Sequence, residues 1–196
     1  MQVLLGLTRL LSMVNAALLG AGRVLGTACV ALMVIFILVQ VFYRYVLGNA
    51  LPWSEEAARF LMLWMTGLMA PTAFRRGGFV SIDLLVGLMP RMVAAVLQLG
   101  LLALSLVVLV VGFRIGWAEV FGFGGRFATD ALWLPTRVDL SSWMKVPRGW
   151  AMASLATGIT LLISVNVELM LRSVLQLFGA GARVPEIRDQ ITLGAE

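Results

Sequence analysis

Residues 41–60 read VFYRYVLGNALPWSEEAARF, and this stretch sets charges and aromatic rings between two apolar runs. Ionisable side chains are costly inside a membrane unless they reach water or a partner. Arg44, Glu55, Glu56 and Arg59 all lie within this stretch. We therefore expect it to mark the place where one membrane-spanning helix ends and the next begins.

The composition around this stretch is that of an integral membrane protein. Of the 196 residues, 61% are hydrophobic and 13% are charged, and the mean hydropathy is +0.98. Soluble domains carry about 25% charged residues. The net charge of +5 fits the excess of cations in cytoplasmic loops and the attraction to anionic lipid headgroups. We expect the lipid bilayer, and not nucleic acid, as a partner.

Several kinds of chemistry are excluded because the chain has no histidine and one cysteine. Haem held by histidine, histidine-ligated zinc and a Ser-His-Asp triad all need residues that are missing. Cys29 lies inside an apolar run and is interpreted as a small buried hydrophobic residue. The sequence predicts no catalytic residue, no cofactor site and no metal site, so an enzyme is not expected.

Charge-free windows predict an all-α integral membrane protein with four transmembrane helices and short interfacial helices. The predicted spans are about 24–45, 53–74, 91–115 and 149–171, within a membrane domain of residues 24–178. Residues 1–23 are predicted to form either an interfacial segment or an extension of the first span. Residues 179–196 are predicted to form a cytoplasmic tail.

The distribution of lysine and arginine predicts that both termini lie in the cytoplasm. With four spans, eight of the 15 cations fall on the side shared by the termini and seven on the other. Cytoplasmic loops carry an excess of these residues. The adjacent pair Arg75 and Arg76, in a short loop, is the strongest single marker of that side.

The opening stretch contains a candidate charge cluster at a helix start. Its members are Arg44, Trp53, Glu55, Glu56 and Arg59. Glu55 precedes Arg59 by four residues, which is the favourable order for a helical ion pair, and Ser54 is predicted to cap the helix. The alternatives are a solvated helix start, a structural contact between helices or subunits, and a proton or ion site. The structural or subunit contact is favoured, because no second cluster continues a polar path across the membrane.

Two further charged groups lie at predicted helix ends. Arg75, Arg76 and Asp83 belong to a predicted cytoplasmic loop, in which Asp83 could pair with either arginine. Glu168 and Arg172 are four residues apart at the end of the last span. Long side chains at such ends usually reach towards the interface, so this pair is predicted to be an exposed helix end.

The second span also contains a signal for close helix packing. Pro71 removes a backbone hydrogen bond and frees a carbonyl group. Gly67 lies one turn earlier, where the missing side chain lets another helix approach. We expect a neighbouring helix to pack closely at this point.

Residues 116–148 form the longest connection, and it is rich in tryptophan and proline. Trp133, Pro135, Trp143 and Pro147 are its candidate functional residues. Long loops are often functional, and tryptophans favour the headgroup level of a membrane. The sequence leaves two alternatives, a periplasmic docking surface and an interfacial anchor that binds nothing.

Four motifs together resemble a known family. They are FYRYVLG at residues 42–48, LPWSEEAARFL at 51–61, AFRRGG at 73–78 and VSID at 80–83. Their order and spacing are similar to those of the small, DctQ-type membrane subunit of the tripartite ATP-independent periplasmic (TRAP) transporters. The resemblance is strongest over residues 36–90.

The resemblance implies a four-helix subunit of the bacterial inner membrane with both termini in the cytoplasm. It implies a heterodimer with a large membrane subunit that handles substrate and sodium, so this chain would need no cofactor of its own. A periplasmic binding protein would deliver an organic acid. The small subunit would act as a scaffold for the fixed part of an elevator transporter.

Other classes of function remain as alternatives at this point. One is a membrane anchor or accessory subunit of another complex, such as a redox or hydrolase assembly. Another is a self-contained oligomeric channel. The sequence lacks the paired broken helices that build a midplane substrate site, which disfavours a channel or transporter acting alone.

Overall fold

The structure is a computed structural model that describes residues 2–49, 51–76, 91–135 and 143–177. Its elements in chain order are helices α1 (Gln2–Tyr45), α2 (Pro52–Arg75) and α3 (Arg91–Phe121), strands β1 (Ala128–Pro135) and β2 (Trp143–Pro147), and helix α4 (Arg148–Leu177). A short 3-10 turn, Gly124–Arg126, precedes β1. Asp83 and the predicted tail 179–196 lie outside the described residues.

Helix α1 is one continuous element. It runs for 44 residues, about 66 Å at 1.5 Å per residue, and this is about twice the hydrocarbon thickness of a bilayer. Residues 2–23 therefore belong to the same helix as the predicted first span. The interfacial position expected for this segment stays a prediction. Thr8, Asn15 and Leu19 are buried on one face of this helix, at spacings of seven and four residues.

Three of the described helices are long and apolar enough to cross a membrane. They are the candidate spans Leu4–Tyr45, Met92–Phe121 and Arg148–Leu177. Helix α2 has 24 residues, but Glu55, Glu56, Arg59 and Arg75 lower its apolar character. The structure therefore describes a mostly helical protein with three clear candidate spans.

The start of α2 follows from a proline in its first turn. Leu51, in an extended conformation, is the N-cap residue, and Pro52 is the first helical residue. Proline suits this position because its missing N–H would have no helical partner. Ser54 is then too far inside to cap the helix, and its hydroxyl donates to the Leu51 carbonyl at 2.9 Å. The predicted capping role of Ser54 was wrong.

The turn between α1 and α2 reverses the chain direction. Gly48 has φ +65°, a conformation that glycine adopts without steric cost. The Asn49 N–H donates to the Tyr43 carbonyl at 3.1 Å and closes the turn. The two helices are therefore antiparallel, with the Trp53 ring against the Phe36 ring at one end and Arg75 bonded to Ser12 at the other.

The other helices pack around α2 and α4. Helix α2 lies between α1 and α4, and α3 packs on α4. Gly67 of α2 faces Ser154 and Gly158 of α4, whereas Arg75 faces Glu168, so these two helices run parallel. Both therefore start at the end of the bundle where the hairpin lies, and the described chain begins and stops at the other end.

Glycines permit the close contact of α2 and α4. A Cβ atom on Gly67 would collide with the Ser154 carbonyl, and a Cβ on Gly158 would lie 2.8 Å from the Gly67 carbonyl oxygen. The expected close packing at Gly67 is therefore found, and α4 is the neighbour. Small residues at such crossings let backbones approach and gain van der Waals contact inside a membrane.

A β-hairpin within the connection is the main feature that the all-α prediction omitted. Strands β1 and β2 are antiparallel, with Trp133 opposite Lys145. The Thr129 hydroxyl donates to the Val146 carbonyl at 2.8 Å, and Val146 is buried. Strand β1 reads ATDALWLP, with one β-branched residue and a terminal proline, so its strand propensity is weak.

Candidate functional site: a buried ion cluster and a hairpin at opposite ends of the bundle

A buried carboxylate joins two arginines where α2 and α4 meet. Glu168 Oε1 lies 2.8 Å from Arg75 Nη2 and 2.8 Å from Arg172 Nη2. The Glu168 side chain is 0% exposed, and each arginine side chain is 10% exposed. We call Arg75, Glu168 and Arg172 the buried ion cluster.

Helix α1 completes the cluster with neutral polar groups. Asn15 Nδ2 donates to Glu168 Oε2 at 2.7 Å. Ser12 Oγ accepts from Arg75 at 3.1 Å and from Arg172 at 2.9 Å. Both carboxylate oxygens therefore have donors, and three helices meet at one group of side chains.

A further hydrogen bond fixes the orientation of the Asn15 amide. Ser164 Oγ, one turn before Glu168 on α4, donates to Asn15 Oδ1 at 2.7 Å. With its oxygen held in this way, the amide nitrogen points to the carboxylate. The Ser164 hydroxyl therefore helps to orient the hydrogen bond from Asn15 to Glu168, in addition to the packing of α1 on α4.

The energetics of this cluster depend on its completeness. Burying a charge costs several kcal/mol, and close partners with good geometry offset that cost. Removal of one partner leaves an uncompensated buried charge, which typically destabilises a protein by about 3–5 kcal/mol. The cluster therefore favours one arrangement of α1, α2 and α4 over alternatives.

The prediction of an exposed helix end at Glu168 and Arg172 was wrong. Their i,i+4 contact exists, but it is buried because Arg75 reaches it from α2, 93 positions away in sequence. A sequence signal for the site does exist. Ser12 and Asn15 are polar residues three apart in an apolar run, which is the pattern of a helix face with a polar partner.

At the opposite end, the structure divides the predicted charge cluster. Arg59 Nη2 lies 3.1 Å from Glu55 Oε1, as the i,i+4 spacing predicted, with side chains 70% and 69% exposed. Arg44 lies over the ring of Tyr45, 5.9 Å from its centroid. Within the described ranges, no ion pair joins Arg44 to Glu55.

The remaining two members of the predicted cluster contact other elements. Glu56 Oε2 accepts a hydrogen bond of 2.6 Å from the backbone N–H of Ala131 in β1. Trp53 packs edge-on against Phe36 of α1, with ring centroids 5.6 Å apart. Glu56 thus joins the hairpin to α2, and Trp53 joins α2 to α1.

The hairpin carries all four residues predicted on the long connection. Trp133 and Pro135 lie on β1, and Trp143 and Pro147 lie on β2, with Pro135 and Trp143 as register partners. Lys145 Nζ stands 5.1 Å from the centre of the Trp133 ring, within range of a cation–π interaction.

An open cavity lies between the hairpin and the start of α2, and Ala131, which bonds to Glu56, lines it. Its volume is about 470 Å³, and Trp53, Ala131, Leu132 and Trp133 line it. The structure thereby brings together Trp53 of the predicted charge cluster and Trp133 of the predicted docking residues. No sequence spacing indicated this proximity, because 80 positions separate the two tryptophans.

The loop residues predicted beside Arg75 are only partly described. Arg76 follows the last turn of α2, and its N–H donates to the Thr72 carbonyl at 3.2 Å. Asp83 lies outside the described residues, so its pairing with either arginine stays a prediction. Among the residues that the structure describes, no group of three or more acidic or cysteine side chains could hold a metal ion.

The fold and the two ends of the bundle define a multi-pass membrane protein with a buried structural ion cluster and a surface hairpin. A family model described as "Tripartite ATP-independent periplasmic transporters, DctQ component" matches residues 33–176, which is more than half of the chain. The chain belongs to this family. The DctQ component is part of a transport system, and the match includes Glu168 and Arg172.

A curated relative agrees with this assignment. It is a Haemophilus influenzae protein described as a TRAP transporter small permease protein, 32% identical over 76 residues. The alignment covers 39% of this chain and 47% of the relative, so it spans less than half the length of either protein.

Proposed function

We propose that this chain is the small scaffold subunit of a sodium-coupled TRAP transporter of the bacterial inner membrane. It pairs with a large membrane subunit that binds substrate and sodium, and a periplasmic binding protein delivers an organic acid. The chain braces the large subunit and does not itself bind substrate. Family membership supports the transport system, and the buried ion cluster carries the proposal of a bracing role.

The ion cluster supports a rigid body because it involves three helices at once. Among the described residues, Glu168 is a fully buried charged side chain, and its partners Arg75 and Arg172 are each 10% exposed at the same end of the bundle. At the middle of the bundle, Gly67 and Gly158 bring backbones into contact. A substrate path needs polar groups at that depth, whereas close packing suits a scaffold.

Exposed apolar faces supply surface for a large partner and for lipid. Helix α3 exposes Val107, Val108, Val111 and Ile115, and α1 exposes Ile35 and Leu38. Lipid tails and the apolar side chains of another helix are equally suitable environments for such faces. A large membrane subunit could therefore bind to these faces without disrupting the packing of the four helices.

Four membrane crossings are part of this proposal. Helix α2 is about 36 Å long, and it pairs with α1 from Trp53 beside Phe36 to Arg75 beside Ser12. It therefore extends beside about 24 residues of an apolar helix, which is enough for a bilayer core. With four crossings, both termini share one side, for which the arginine distribution favours the cytoplasm.

Reconstitution tests the proposed division of labour. Proteoliposomes would contain this chain alone, the large subunit alone or both, with the binding protein, an organic acid and a sodium gradient outside. We expect uptake only with both membrane subunits. Uptake by this chain alone would contradict the scaffold role, and undiminished uptake by the large subunit alone would contradict the need for a brace.

A further inference from the structure

The cavity between Trp53 and Trp133 lies where the described structure leaves aromatic rings uncovered. The two side chains are 39% and 50% exposed, and the volume of about 470 Å³ falls within the usual range of small-ligand sites. Among the described residues, Ala131 and Leu132 also line the cavity, and its surface is mostly apolar. The cavity thus suits a ligand with an apolar body.

A cation neighbours Trp133, one of the residues that line this cavity. Lys145 Nζ lies 5.1 Å from the centre of the Trp133 ring, and the residue is exposed. An ammonium group that lies over an aromatic ring still has N–H donors directed away from the ring, and these can bind an anion. A ligand for this site would therefore join an apolar part to a negative group.

The position of the hairpin identifies the source of such a ligand. It connects α3 and α4, which have 31 and 30 residues and are each about 45 Å long. A bilayer with its headgroups is about 40–45 Å thick. The hairpin that joins these two ends therefore lies at headgroup level.

Apolar side chains are also exposed along the chain from α3 to β1. Ile115 on α3 and Phe121, Phe123 and Phe127 before β1 have exposed fractions of 59%, 73%, 78% and 51%. Exposed Arg126 lies among them. A belt of aromatic rings with cations is the pattern that membrane interfaces favour.

We propose that this cavity binds an anionic phospholipid of the leaflet at the hairpin end. An upper acyl segment lies between Trp53 and Trp133, and the phosphate meets the Lys145 ammonium group. Bound lipid would hold the hairpin at a fixed depth beside the Glu56 contact. No large partner is needed for this binding, so it is independent of the scaffold role.

Site-directed spin labelling tests the depth of the cavity. The single cysteine makes the background simple, because Cys29→Ser removes it. A nitroxide at Trp133→Cys, in vesicles of phosphatidylethanolamine and phosphatidylglycerol, should be more accessible to oxygen than to a water-soluble nickel chelate. A label at Ile115→Cys, on the exposed face of α3, gives the reference for the acyl region.

Lipid binding by the same protein in these vesicles tests whether the cavity prefers an anionic headgroup. Binding of spin-labelled phosphatidylglycerol, relative to phosphatidylcholine, should fall about fivefold in Lys145→Gln, because one cation near a membrane surface has about that effect. Arg114→Gln removes an exposed cation of α3 that is not among the described residues lining the cavity, and it should leave the ratio unchanged.

Three results would overturn the proposal. The first is equal access of the chelate and oxygen to the label at position 133, which would place the cavity in water. The second is protection from both, which would mean that protein covers the cavity. The third is an unchanged preference for phosphatidylglycerol in Lys145→Gln, which would show that Lys145 does not bind the lipid phosphate.

Discussion

Glu168 accepts hydrogen bonds from two arginines and one amide in an apolar chain, and each donor comes from a different turn or helix. Such a carboxylate is stable only while its donors remain, because the desolvated charge has no access to water. The importance of the residue thus comes from its burial, since the same i,i+4 spacing at Glu55 and Arg59 forms an exposed pair.

Glu168→Ala should destabilise the protein by about 3–5 kcal/mol, because it leaves two buried guanidinium groups without their carboxylate. Glu55→Ala is the matched control, since it breaks an exposed i,i+4 pair worth about 0.3–0.5 kcal/mol. Equilibrium unfolding in detergent micelles measures both changes. Equal, small losses in the two variants would show that the cluster does not stabilise the fold.

The sequence shows the three members of this cluster but not the contact between them. The pair Glu168 and Arg172 is visible in the spacing, and Arg75 is visible as a cation at a helix end. Their common burial is not visible, because it depends on how α2 lies against α4. The spacing of residues in sequence predicts which side chains are neighbours on the same helix. It does not predict that Arg75 of α2 contacts Glu168 of α4, because that contact depends on tertiary packing.

At the scale of elements, the contact of α2 with α4 depends on the absence of side chains. Gly67→Ala would place a methyl group against the Ser154 carbonyl, so the helices must separate. We expect a loss of about 1–3 kcal/mol, as for other overpacked sites. Thermal unfolding in detergent measures it.

Gly100→Ala supplies the control for helix propensity. Nothing lies within 4 Å of a Cβ atom at this position on α3. Alanine in a helix interior is favoured over glycine by about 0.5–1 kcal/mol, so this variant should be neutral or more stable. A Gly67→Ala protein as stable as Gly100→Ala would contradict the close contact.

A carboxylate of α2 contacts the hairpin backbone. Glu56→Ala removes the acceptor of the Ala131 N–H and should raise the hydrogen-exchange rate of that amide. The loss of one charge-assisted hydrogen bond corresponds to about 1.5–3 kcal/mol, or at least tenfold in local opening. Glu55→Ala, one residue away, should leave the amide protected, and equal exchange in both variants would contradict the contact.

The sequence predicted the helices better than the strands. Apolar windows indicated all four helices, and Pro52 set the start of α2. The hairpin was missed because its strands are short, poor in β-branched residues and held by a contact from Glu56 that no local pattern reveals. Composition did not indicate the strands that carry the tryptophans, and their expected headgroup-level position stays a prediction.

At the scale of the whole molecule, the two ends of the bundle differ in chemistry. The end where α1 begins and α4 ends holds the buried ion cluster, and the other end holds the hairpin and its aromatic rings. A reporter fused after Arg76 should read cytoplasmic, and one fused after Gly125 should read periplasmic. The reverse pattern would overturn the proposed orientation.

Co-purification tests the central claim most directly. The tagged chain would be isolated in mild detergent from membranes of cells that express it with its transport system, alongside the Glu168→Ala variant. The account predicts a much larger multi-helix membrane protein in equal molar amount with the wild-type chain, and less of it with the variant. Isolation of the stable, folded wild-type chain without such a partner would contradict the scaffold role.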